Sequence, residues 1–111
     1  MTTGTKMPTI LTLCGSIRFL DTFRRMAQEE SLAGKIVLSV ECVTISDGDI
    51  QHTDPETKAM LDELHLRKID LSDEILVLNV EHYVGESTRR EIMCAKSQGK
   101  TIRYLEPDIH Q

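Results

Sequence analysis

At 111 residues the chain has room for one domain and a single core, not for two. Its 18 acidic and 13 basic residues leave a net charge of −5, which argues against a broad nucleic-acid-binding surface. Hydrophobic residues make up 40% of the chain, yet with two Phe, two Tyr and no Trp the core must be mostly aliphatic.

The opening "MTTGTKMP" has no apolar centre of the kind a signal peptide carries, and no apolar run reaches membrane-spanning length. Residues 1–8 therefore read as a flexible leader and 9–111 as a single cytoplasmic domain with no membrane partner. "TILTLC" (9–14), rich in β-branched and aliphatic residues and ending at Gly15, reads as a strand buried on both faces. In the next segment Leu20, Phe23, Met26 and Ala27 recur at helical spacing, and Gly34 supplies a stop. "KIVLSVECVTI" (35–45) is strand-like and is followed by a polar loop.

Thr53, Pro55 and Glu56 then form a helix-start signature, with Thr53 as N-cap and a helix to about Leu71. Its expected inner stripe is Leu61, Leu64 and the stem of Lys68. "EILVLNV" (74–80) is the most apolar strand, "GESTRREIMCAKSQGK" the last helix and "TIRYLE" the last strand. Strands alternating with helices require right-handed crossovers and a parallel sheet. The expected fold is a small three-layer α/β domain, flavodoxin- or Rossmann-like, with four or five mainly parallel strands.

In such sheets ligands collect beyond the carboxyl ends of the strands. Two loops there have suitable composition. In "CGSIR", Gly15 permits a tight turn, Ser16 can open a helix whose amides face an anion, and Arg18 can add a charge-assisted bond. The plainer alternative makes Gly15 a turn and Ser16 a cap.

In "GESTRRE", Thr88 and Glu91 have the spacing of a capping box, which would spend Glu91 on its own helix. Alternatively Glu91 stands at the mouth of the sheet, kept ionised by Arg89, Arg90 and the helix N-terminus, as a nucleophile must be. Cys14, Cys42 and Cys94 lie among apolar neighbours with neither zinc-like nor redox spacing, so they read as reduced core residues and no metal is expected.

Together "GSIR", "DLSDEILVLNV" and "GESTRREIMCAKSQGKTIRYL" resemble the nucleoside 2-deoxyribosyltransferase-like family, which includes deoxynucleoside 5′-monophosphate N-glycosidases. The likeness runs from about Thr9 to Glu106. It implies that Glu91, in the Glu-Ile pair, is the nucleophile that attacks the sugar C1′. A covalent glycosyl-enzyme would follow, resolved by water or by a second base, with no cofactor.

The resemblance also implies that Gly15, Ser16, Ile17 and Arg18 meet a 5′-phosphate, joined at the second loop by Gly85, Ser87 and Arg89. Members of the family pair so that one subunit completes its neighbour's pocket, so a homodimer or higher homo-oligomer is implied, acting on a small nucleoside or nucleotide. "SDGDIQHTDPE" is the expected lid.

The chain departs from the family pattern in three places. Thr12 stands near the position of a tyrosine, His65 and Leu66 stand where an aspartate is usual, and Asn79 replaces an acidic residue. His65 suits protonation of a leaving base, or it caps the edge of the core. Asp62 and Asp70 are other acidic candidates on its helix, Asp70 having as its alternative a place in the turn that follows. Asn79 can orient a sugar hydroxyl but cannot transfer a proton.

Overall fold

The computed structural model describes residues 7–40 and 54–107. Most of the expected leader, the far part of the second strand (41–45) with Cys42, the lid loop through Thr53, and the chain end from residue 108 lie outside the described residues.

The elements are β1 (Ile10–Cys14), α1 (Leu20–Leu32), β2 (Ile36–Leu38), α2 (Pro55–Leu71), β3 (Glu74–Val77), α3 (Glu86–Ser97) and β4 (Thr101–Tyr104). The strands form one wholly parallel sheet in the order β2-β1-β3-β4. Thr12 pairs with Leu38 on one side and with Ile75 on the other, and Ile75 pairs with Ile102. This is the expected three-layer α/β fold, four-stranded among the described residues.

Alternation along the strands divides the core into two layers. Leu11, Leu13, Leu76 and Leu78 face α1, where Phe23 and Met26 cover them. Cys14, Ile75 and Val77 face the opposite way, under Ile69 of α2 and Ala95 of α3. Burying each such large apolar side chain contributes roughly 1.5–3 kcal/mol, against at most about 1 kcal/mol for an exposed ion pair such as Arg67–Glu63. The two apolar layers therefore hold the sheet together.

α1 ends as expected, at Ala33 followed by Gly34 with φ of +93°. Two details of α2 differ from expectation. Its N-cap is Asp54, whose carboxylate accepts the Thr57 amide at 2.8 Å; Thr53 is outside the described residues. Its buried residues are His65 and Ile69, whereas Leu64 is exposed and Leu61 and Lys68 are half-buried. Ile69 is drawn inward by the apolar layer of β1 and β3, and that rotation carries Leu64 to the outside.

Thr12 is fully buried between β1 and α2. Its hydroxyl bonds to that of Ser72 and to the Lys68 carbonyl, which Ser72 Oγ also reaches at 2.8 Å. This hydroxyl ties the strand to the end of the helix.

Candidate active site

After β1 the chain crosses to β2 on one side of it, and β3 lies on the other, so the crevice between the carboxyl ends of β1 and β3 is the switch point. Gly15 turns the chain there with no side chain to spare. A Cβ on it would lie 3.2 Å from Leu78 Cβ and 3.3 Å from Leu78 O, at the end of β3.

The start of α3 decides what Glu91 can do. The N-cap is Gly85, without a side-chain cap, and the Arg89 amide already donates to the Gly85 carbonyl at 3.0 Å. Thr88 is therefore a buried residue of the first turn, and Glu91 is the sixth helical residue. The expected capping box does not form: Glu91 sits too far along the helix to reach the N-cap amide.

Glu91 instead points under the sheet end. Its Oε1 lies 3.9 Å from Nε2 of His65, brought in by α2, with side chains 12% and 6% exposed respectively. Donor atoms of Cys14, at the last position of β1, of His65 and of Glu91 all lie within 4.8 Å of one another. Among the described residues, neither ring nitrogen of His65 nor Oε1 of Glu91 has a hydrogen-bond partner of normal geometry; the Leu13 backbone and the Cys14 thiol stand nearby without meeting it. A hollow lined by Asp62, Leu66, Ser87, Arg90 and Glu91 opens beside this cluster.

Burial sets the electrostatics. It pushes the Glu91 carboxyl up to about 7, and Asp62 adds to this; the Cys14 thiol, Arg90 and Lys58 pull the other way without prevailing. The expectation that neighbouring arginines keep this group fully ionised is thereby corrected: desolvation outweighs them. Burial likewise pulls His65 down to about 4, helped by Lys68 and opposed by the Leu13 backbone and Asp62. Burial first, and then Glu91, raise the Cys14 thiol well above its ordinary range. At neutral pH the imidazole is uncharged and Glu91 is divided between acid and carboxylate.

The other expected site residues are distributed as follows. Ser87 lines the hollow and accepts from Arg90 at 3.4 Å, while Arg89 is exposed. In the Gly15–Arg18 loop Ser16 Oγ accepts the Arg18 amide at 3.3 Å, opening a short 3₁₀ turn from Ile17 to Phe19 rather than the long helix itself. Ile17 and Arg18 are exposed, and the Arg18 guanidinium lies 4.3 Å from the centre of the Tyr83 ring. Tyr83 thus joins this loop to Gly85, whose added Cβ would come within 3.1 Å of the tyrosine hydroxyl.

Asn79 is buried, and its amide exchanges two 2.9 Å bonds with the Glu106 backbone, a contact that joins the ends of β3 and β4. Asp70 is not brought to the cluster. It accepts from Gln98 at 2.6 Å and pairs with Arg67 at 3.2 Å, beside the carboxyl end of α3.

Cys14, Asp62, Arg90 and Tyr83 take larger parts than their sequence setting suggests. For Cys14 a signal existed in its place immediately before Gly15, which puts it at a strand's carboxyl end. Comparison of the chain with known protein families finds no match, and comparison with curated proteins finds none either.

Proposed function

We propose that the protein cleaves or transfers the N-glycosidic bond of a (deoxy)nucleoside or nucleoside 5′-monophosphate, with Glu91 as nucleophile. One observation carries this reading. A carboxylate released from any capping duty lies 3.9 Å from an imidazole with no hydrogen-bond partner of normal geometry among the described residues, at a hollow between α2 and α3. The resemblance of "GSIR" and "GESTRREI" to the deoxyribosyltransferase-like family supports it independently.

In this mechanism the protonated Glu91 passes its proton to His65, and the resulting carboxylate oxygen attacks C1′. A C1′–O bond forms as the C1′–N bond breaks, and the electron pair leaves with the base, which takes the proton from His65. Water or a second base then attacks C1′, gives its proton to His65 and frees the carboxylate. The carboxylate beside the ring stabilises the oxocarbenium-like transition states of both steps, with no metal required.

The test is chromatographic. Incubation with a panel of deoxynucleosides and their 5′-monophosphates is expected to release free base, and Glu91→Gln is expected to lower the rate by at least about a thousandfold, as loss of a nucleophile does. Full turnover in Glu91→Gln overturns the assignment.

A second reading, a nucleotide-binding module that does not cleave its ligand, is favoured by two groups already in use. The Thr12 hydroxyl is held by Ser72 and Lys68, and the Asn79 amide by Glu106, so neither is free to grip a sugar. Saturable nucleotide binding without base release would select it.

The same proposal includes a homodimer in the cytoplasm. The free thiols Cys14 and Cys94 fit a reducing compartment, and an exposed apolar stripe on α2 fits a second copy of the chain.

A further inference from the structure

We propose that Cys14, His65 and Glu91 form a binding site for a divalent transition-metal ion of the zinc type. The sequence spacing of the cysteines points to no such site, because its donors come from three separate elements: the last residue of β1, the middle of α2 and the second turn of α3. Two independent observations support it. The three donor atoms converge to within 4.8 Å of one another, and among the described residues neither nitrogen of the imidazole, 94% buried by its 6% side-chain exposure, has a hydrogen-bond partner of normal geometry. Buried polar atoms left unpaired are costly, and coordination would relieve that cost.

The donor set selects the metal class. Sulfur, imidazole nitrogen and a carboxylate oxygen suit zinc and its neighbours and do not suit magnesium or calcium, which take oxygen ligands. With bonds of about 2.0–2.3 Å, tetrahedral donors stand about 3.4–3.7 Å apart, so the 3.9 Å between His65 and Glu91 has to close by a few tenths of an ångström and a pair at the 4.8 Å bound by about 1 Å, a side-chain adjustment. A thiolate and a carboxylate neutralise the ion, and the protons they give up pass to water. Three protein donors leave a fourth position for water.

What the ion would do rests on the glycosidase reading above: a carboxylate bound to metal cannot attack C1′, so the ion acts as an inhibitor. Whether it binds is independent of that reading and is measured without substrate.

The 111-residue chain, treated with chelator and titrated with Co²⁺, is expected to bind one ion per chain. A thiolate-to-cobalt charge-transfer band in the near ultraviolet should appear and be displaced by Zn²⁺. Cys14→Ser should abolish the band and His65→Gln should weaken Zn²⁺ binding by at least about tenfold, the loss that follows removal of even an outer-shell partner. Cys94→Ser should keep the band, and Zn²⁺ should raise the melting temperature of the wild type but not of Cys14→Ser.

Absence of the band in the wild type, or its survival in Cys14→Ser, overturns the site; if Cys14→Ser does not fold, undiminished Zn²⁺ affinity in His65→Gln overturns it. Base release from a protein that binds no ion defeats the metal site alone. Ion binding together with no base release from the chelator-treated, metal-free protein defeats the glycosidase reading alone.

Discussion

Glu91 and His65 each lose free energy by being buried, and they lose it at opposite ends of the pH scale. Because burial raises Glu91 from 4.5 to about 7, the native state keeps a proton that the unfolded chain has released, and native stability falls as pH rises through that interval. His65 is lowered from 6.5 to about 4, so the native state refuses a proton that the unfolded chain accepts, and stability falls as pH drops through that interval. Between 4.5 and 6.5 the two slopes oppose each other.

Urea-denaturation midpoints of chelator-treated protein are therefore expected to change little across that range. Glu91→Gln should uncover the histidine slope, losing stability from pH 6.5 downward, and His65→Gln the glutamate slope, losing stability from pH 4.5 upward. At pH 8 Glu91→Gln should gain on the order of 1–3 kcal/mol, since an amide carries no buried charge. A loss of stability there would restore the capping role that the helix start denies to this residue.

At the scale of elements, one charged network holds α1 against the sheet. Arg103 of β4 forks onto Glu30 of α1 at 3.0 and 3.1 Å and reaches Glu74 of β3 at 3.2 Å; Lys35 bonds the same two carboxylates at 3.2 and 2.9 Å. The hydrogen bonds from Arg103, ahead of those from Lys35, hold Glu30 below its ordinary range. Its contribution is accordingly present above pH 4.5 and is lost as pH falls through the lowered value. Arg103→Met leaves two carboxylates to share one lysine. The expected cost is roughly 1–3 kcal/mol, less than for a fully buried pair because Arg103 keeps 37% of its side chain exposed. Thermal melts at pH 7 and pH 4 check this: the deficit should be the larger at pH 7, and a deficit equal at both would remove the network from the account.

For the whole molecule, α2 is the element whose surface is not accounted for by the described residues. At 3.6 residues per turn, Met60, Leu64 and Leu71 fall within about 40° of one another on one side of it, opposite the buried His65 and Ile69. Those three side chains are 53%, 47% and 69% exposed, so the helix carries two apolar faces, one on the sheet and one turned outward. A second copy of the chain is the occupant that the dimer proposal assigns to the outer face. Sedimentation equilibrium is expected to give a dimer for the wild type and a monomer for the Leu64→Glu, Leu71→Glu double variant. A monomeric wild type at tens of micromolar would end that proposal. Among the described residues no helix is long and apolar enough to cross a membrane, so this face is not a membrane span.

What could be read from the chain alone was whatever depends on local periodicity. The strand-helix alternation, the two-faced packing of "TILTLC", and the helix ends at Gly34 and Gly99 follow from spacing and from the backbone freedom of glycine, and the structure repeats them; "EILVLNV" is a strand as expected but stops at Val77 instead of running to residue 80. Glu91 and His65 were also legible as candidates, one from its Glu-Ile setting and the other from its place before β3. Their roles were not, because both turn on desolvation and on which residue starts a helix. The Thr88–Glu91 spacing satisfied a capping rule that α3 bypasses by starting at Glu86, and Arg89 and Arg90 looked strong enough to keep a carboxylate charged until burial outweighed them. The meeting of Cys14, His65 and Glu91 is a product of tertiary structure alone: three residues far apart in the chain become neighbours only when β1, α2 and α3 close around one sheet end, and no local pattern records that distance.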